Sequence, residues 1–582
     1  MTMKTYSTRK PDAAGSALAL TMIMSAVALA ILAGVMAWAS SSTRLTHRSI
    51  QYTRSVAAAE AATEKVLSQI TRDFLYGGEN LVVNNLNTYR QNTVPTTADS
   101  AYWSGWQFND ATGNTGQTFV QRTPGISFIE LDSTYAGLKG YVSTYTVVSH
   151  ARDTASIQDV MAGVLQELQL AGIPIFQFAM YSAGNMEISC GRPFDITGRV
   201  HSNKTLYVEP DSFLTFESGV TAVEEILFQR DPLDTRGPPA GGVVYVHPEQ
   251  KLSPVAAMTL PIGTTNTPEA IREIIEPPPL GEDRNSPIGR LRYFNQSDLL
   301  VTVSDSGISG TSGGFNNFVT SITNLDLQKF VSTASSFRDD REEKTVRPID
   351  IDVGSLKTWS ETNNSLRVAL GGASLSSIYV VDRRTTLGAN LGAVRVVNGL
   401  LLPTNGLTVA TGRPLYVLGD FNQTNTANLG TANTSTTRPA SLVADAITIL
   451  SDAWTDANST SPVESRNALP TTVNAAFLTG AVETTAGKYS GGMENFPRFL
   501  ETWGSANVFT YNGSMVKMFP SLFATGTWGK GNVYVPPKRN WAYDVNFEDA
   551  TKLPPKTPSL LKVFRKRWAT AAPGTNGATA VY

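Results

Sequence analysis

Apolar and polar positions divide the chain into three stretches with different periods. The first has no period. From Ala17 to Ala39 the run ALALTMIMSAVALAILAGVMAWA is almost wholly apolar, and no charged residue occurs between Asp12 and Arg44. Such a run is long enough to cross a bilayer as a helix. The second stretch, residues 41–75, is amphipathic. Ile50, Val56 or Ala57, Ala61, Val66 or Leu67 and Ile70 recur at three- to four-residue steps, and alanine is dense. No Pro or Gly falls between Val35 and Tyr76. One helix is therefore expected from Ser16 to about Leu75, roughly 90 Å long at about 1.5 Å per residue. Gly77-Gly78 is expected to end it.

The third stretch switches to a period of two. From Met186 the apolar residues Ile188, Cys190, Phe194, Ile196, Val200, Leu206, Val208, Leu214, Phe216 and Val220 all share even numbers. Glu187, Asp195, Arg199, His201, Asn203, Glu209, Asp211 and Glu217 take the odd ones. Turn residues punctuate this alternation every few positions, too often for a simple sandwich. Coils of a parallel β-solenoid fit better, and a β-sandwich remains the alternative. Gly191-Arg192-Pro193-Phe194-Asp195-Ile196-Thr197-Gly198 has the layout of Gly412-Arg413-Pro414-Leu415-Tyr416-Val417-Leu418-Gly419, an internal echo of the same pattern.

The expected class is α+β: a long N-terminal transmembrane and amphipathic helix, then a mostly β head. The head would be a short parallel β-solenoid with insertions and an aromatic-rich C-terminal cap. The segments are a leader (1–15), the helix (16–76), an α+β region (77–175), a first solenoid segment (176–225), an insertion (226–375), a second solenoid segment (376–452), an aromatic-rich region (453–570) and a disordered tail (571–582). Within them, 157–170 fits a strand or a helix and is read as a strand. Asp298 to Val303 reads as a strand, and Thr267-Pro268 opens a helix. Glu494 to Trp503 is expected to be a short helix, and 422–438 an exposed loop.

Composition narrows the function classes. The chain has 582 residues with 47 basic against 49 acidic, which gives no reason to expect nucleic acid as a partner. Its single cysteine, Cys190, excludes an intrachain disulfide, so stability must come from large cores. Removing residues 1–15 takes away Lys4, Arg9, Lys10 and Asp12 and leaves a net charge of −4.

Three readings apply to residues 1–40. A secretory signal would be cut after Ala37-Trp38-Ala39, although the apolar core exceeds the usual signal length. A plain transmembrane anchor is the second. The third is a prepilin-type leader cut between Gly15 and Ser16, which keeps the apolar helix, and the amphipathic continuation favours it. The Gly15-Ser16 junction, the apolar helix and Ala58-Ala59-Glu60-Ala61-Ala62 resemble the N-termini of the type IV pilus assembly protein PilX and of minor pseudopilin K of type II secretion. In most pilins the fifth mature residue is a glutamate, thought to pair with a neighbour's N-terminal amine. That position is Leu20 here. The resemblance therefore implies a tip or initiating role rather than a place in the filament shaft. It also implies a prepilin peptidase, the inner membrane and other pilin or pseudopilin subunits as partners, with Leu20 and Glu60 on the filament helix.

The residues give no catalytic, cofactor or metal site. His47, His150, His201 and His247 lack ligand spacing, and no P-loop, G-x-S-x-G or H-E-x-x-H occurs. His201 is expected to be a solvated turn residue and Cys190 a buried inert thiol. Asp339-Asp340 with Glu342-Glu343 reads as a solvated charge run. Arg498, Trp503, Arg539, Trp541 and Tyr543 could form a binding face by stacking, for a surface glycan or protein ligand. The expected function is a non-enzymatic, membrane-anchored minor pilin or pseudopilin. The alternatives are a surface-anchored carbohydrate-active solenoid enzyme, using acids such as Asp195, Glu209, Asp211 and Glu217, or a stand-alone adhesin.

Overall fold

The computed structural model describes residues 3–4, 14–132, 135–313, 320–504, 506–529 and 533–572. The leader and the tail therefore lie mostly outside the described residues.

A helix, α1 (Ala14–Asn84), leads the chain. Its long regular part ends at Gly77-Gly78, as expected: Gly78 takes φ 67° and ψ −169°, a non-helical conformation that glycine adopts without strain, and a second short helical stretch runs on from that kink to Asn84. A shorter helix, α2 (Leu86–Asn92), follows. The two halves of α1 have different surroundings. Residues 16–50 are exposed throughout, whereas Ser55 is the first buried side chain and donates its hydroxyl to the Val160 carbonyl at 3.1 Å.

From there α1 packs on an antiparallel sheet. Its long strands Lys139–Asp153, Met161–Pro174 and Ser559–Ala571 lie side by side, with three short strands (Trp106–Asn109, Phe119–Arg122, Ser127–Glu130) paired to the first. Residues 157–170 are thus largely strand, as the alternation favoured. Val66, Leu67, Ile70 and Phe74 meet Tyr145, Val147, Leu168 and Leu170. Ala58, Ala59 and Ala62 let the helix lie close to Ala151 and Val164. Each large side chain in this seam contributes about 1.5–3 kcal/mol. The expected stripe holds at Val66, Leu67 and Ile70, whereas Ile50 and Ala57 stay exposed.

The rest of the head is built mainly on short parallel strands, with a few antiparallel pairs and short helices beside them. Met180 pairs with Val200 and Val200 with Val220, so a turn of chain takes 20 residues. Met186 over Leu206 over Ile226 and Phe194 over Leu214 repeat that interval. The even-numbered side chains point inward into one continuous core. The chain then crosses the head through Pro268–Arg272, which Thr267 caps. It restarts at Leu299–Ser304 and returns by parallel pairing through Ser377–Asp382, Leu407–Ala410, Ala440–Ala444, Ala476–Ala481 and Met515–Pro520. Met515 finally pairs with Met180. The outgoing and returning sets thus form one 12-stranded sheet.

This topology corrects several expectations. Region 453–570 is more than a cap, because its strands Ala476–Ala481 and Met515–Pro520 lie between Ala440–Ala444 and Met180–Ser182 in the main sheet. The segment read as an insertion supplies Leu299–Ser304 and Lys344–Asp352 to the main ladders. The two echo sequences do form strands, Phe194–Ile196 and Leu415–Leu418, but in different sheets. Residues 494–503 hold the end of a 3-10 turn (Met493–Asn495) and the strand Pro497–Phe499 rather than a helix. The polar loop 422–438 is tied down at its base, where Asn422 Nδ2 donates to the carbonyls of Arg438 and Asn474, both at 2.7 Å.

Candidate functional site

Two places in the molecule invite function: the bare half of α1, and the aromatic and charged part of the head.

On α1, Leu18, Ile23, Leu29, Ile31, Leu32 and Trp38 all point outward, and Leu20 is 63% exposed. No other helix among the described residues is long and apolar enough to cross a membrane. The Gly15-Ser16 peptide lies inside helical backbone, while the Gly15 surroundings fall outside the described residues. Glu60 lies farther along, half-buried among the packed alanines, so Leu20 and Glu60 share the helix but not an environment. Arg54, 3.7 Å from Asp153, and Glu64, bonded to Arg565 at 2.6 and 2.7 Å, mark where head and helix meet. The apolar run, Ala17 to Ala39, spans about 35 Å at about 1.5 Å per residue, close to the hydrocarbon thickness of a bilayer. A polar exposed stretch of α1 then separates it from the head.

In the head, the five residues offered as a binding face do not form one open surface. Trp503 is 1% exposed and packs on Phe499 and Phe509. Arg498 is buried, with its guanidinium 2.5 Å from Glu342 and bonded to the carbonyls of Ala524 and Gly526. Tyr543 is also buried. Arg539 and Trp541 are half-buried neighbours, with the guanidinium 5.4 Å from the ring centre. Trp541 and Tyr543 border a small apolar hollow beside Phe194 and Tyr511. Parallel stacking turned alternate residues of this strand inward, and the aromatics became core.

Other charged groups went the same way. His201 is fully buried, stacked on Tyr181 and hydrogen-bonded to Thr221 at 2.7 Å and Asn203 at 3.0 Å. Burial pushes its pKa down to about 4, so the ring is neutral near pH 7. Glu209 is fully buried, and burial with Glu187 nearby pushes it up to about 8. Asp195 and Glu217 stay exposed, and Asp211 pairs with Arg230, so the four acids do not converge on one groove. Asp339, Arg341 and Glu342 are buried rather than solvated. Cys190 is buried, and desolvation pushes its thiol up to about 12, as expected of an unreactive cysteine.

Sequence reasoning missed two strong anchors. Asp445 is fully buried and accepts from Arg272 (2.7 Å) and from the amides of Leu522, Phe523 and Ala524 at 2.7, 3.0 and 2.9 Å. Arg292, 1% exposed, pairs with Glu273 and Glu282. Neither has a local signal, since the partners of Asp445 lie far away in the chain.

No family model matches this chain, and no curated protein matches it. Among solved structures it is similar to the competence-associated pilin ComZ from Thermus thermophilus at 9% sequence identity, over 90% of this chain and 98% of that one, with a TM-score of 0.27.

Proposed function

We propose that the chain is a non-enzymatic, membrane-anchored pilin-like subunit with a large β head read as an interrupted parallel β-solenoid. The observation that carries this reading is α1. From Ala17 to Thr43 it bears no charge and stays exposed, while its second half is locked to the head. A lipid-facing rod that later packs against other copies accounts for both. In this reading a prepilin peptidase cuts between Gly15 and Ser16, the subunit waits in the inner membrane, and the head then stands in the periplasm or at the cell surface. With Leu20 at the fifth mature position, the role is at the tip or in initiation, as in PilX-like and K-like minor subunits. N-terminal sequencing of the mature protein and co-purification with filament subunits test it. A start at Ser16 with co-purifying subunits is the expected outcome, and a start at Ser40 rejects it.

A further inference from the structure

Arg341 differs from the other buried arginines. It is 5% exposed, its Nε donates to the Gly526 carbonyl at 3.0 Å, and among the described residues no carboxylate lies within ion-pair distance of its guanidinium. The two nearest acids are engaged elsewhere. Glu342 accepts from Arg498 and from the Gly526 amide. Asp339 accepts from Tyr416 at 2.7 Å and from the Glu342 amide at 3.0 Å. A buried cation left in this way carries a desolvation cost that no ion pair offsets. In keeping with that, burial, with Arg498 adding to it, pushes Arg341 down to about 9.

Arg341 borders open space. It lines a small cavity of about 30 Å³ and an outer cleft of about 670 Å³, whose other walls are 234–236, 487–489 and 525–529. The cleft is cationic. Its Asp234 is bonded to Arg236 at 2.7 Å and its Glu342 to Arg498, while the exposed Lys344 and Lys488 at the mouth have no ion pair among the described residues. One wall is aromatic. Tyr489 is covered by Arg236, 3.5 Å from its ring centre, and Trp528 packs edge-on against it and stays half-buried on the cleft side. Thr525 and Thr527 add hydroxyls. An unpaired planar fork suits a carboxylate, and a half-buried indole beside hydroxyls suits the apolar face of a sugar ring.

We propose that this cleft binds an acidic saccharide, with a uronate carboxylate on Arg341 and the sugar ring against Trp528. The inference does not rest on the filament reading, because the site lies wholly in the head and binding is measured on unassembled chain. The test is calorimetric titration of the full chain in detergent micelles with trigalacturonate, with maltotriose as the neutral counterpart and sodium phosphate as the bare anion. The proposal expects saturable binding of trigalacturonate and about tenfold or weaker binding of maltotriose and phosphate. Arg341→Gln and Trp528→Ala each lower the affinity about tenfold or more. The thermal midpoint of Arg341→Gln does not fall, because the change removes an unpaired buried charge. Should that variant fail to fold, the surface double variant Lys344→Gln/Lys488→Gln is expected to weaken binding of trigalacturonate and leave its midpoint unchanged. No saturable binding by the wild type, equal binding of maltotriose or phosphate, or variants that bind like the wild type would each overturn the proposal.

Discussion

The bare half of α1 and the interior of the head invert the usual distribution of side chains in opposite ways. The helix exposes Leu18, Ile23, Leu29 and Trp38, and the head buries Asp445, Arg292, Glu342 and Glu209. The head settles most of its inversion internally: Arg292 has Glu273 and Glu282, Asp445 has Arg272 and three amides, and Glu342 has Arg498. The helix settles none of its own, since among the described residues no other element covers residues 16–50. A misplaced group matched within the chain is structural. One left unmatched asks for something outside the chain, and in the head Arg341 is a group of that second kind.

The comparison can be broken at either end. The largest effect is expected at Asp445. Its replacement by alanine leaves Arg272 with only Glu276 as a carboxylate partner and frees three amides, and it should cost about 3–5 kcal/mol of head stability with membrane association unchanged. Chemical denaturation and membrane fractionation read the two separately. Leu29→Asp does the reverse. It places a carboxylate at the middle of the apolar run, at about 2.5–3.5 kcal/mol against insertion, so fractionation should show loss of membrane retention while the head melts as before.

A smaller effect tests two buried acids. Glu209 is raised to about 8 and Glu494 to about 7, in both cases mainly by burial, against an ordinary value of 4.5. Folded chains then hold more protons than unfolded ones between those values, so stability falls as pH rises from about 5 to about 8. His201, lowered to about 4, acts oppositely only below about 6.5, where the unfolded imidazole takes up the extra proton. Thermal melts across pH 6.5–8.5 should therefore decline, and Glu209→Gln should flatten the decline. The smallest change is expected at Glu64→Gln. Its pair with Arg565 lies at the surface of the helix–head seam, and its loss should cost no more than about 1 kcal/mol by denaturation.

These contrasts also explain what was legible in the chain. The charge-free run and the alternation after Met186 are local patterns, so the long helix and the mostly β head could be read directly. The 20-residue interval of Met180, Val200 and Val220 was present too, though hidden by short strands and turns. Long-range pairing was not legible. Nothing near Glu342 announces Arg498, and nothing near Arg272 announces Asp445, so buried pairs looked like solvated charges. The same blindness affected the aromatic region. Trp503 and Tyr543 looked like a binding face although their ring partners Phe499, Phe509 and Phe547 lie close by in the chain, because no local pattern says that such a cluster packs inward, and region 453–570 looked like a cap because its pairing with Met180–Ser182 joins residues far apart in the chain. His201 and Glu209 show the limit of parity, because odd-numbered positions in narrow coils are also covered by the neighbouring chain.

The central claim is that the exposed apolar half of α1 remains part of the working protein. N-terminal sequencing of the mature chain isolated from membranes tests it most directly. A start at Ser16, with the apolar run intact, is the expected result, and a start at Ser40, with the run removed, would overturn it.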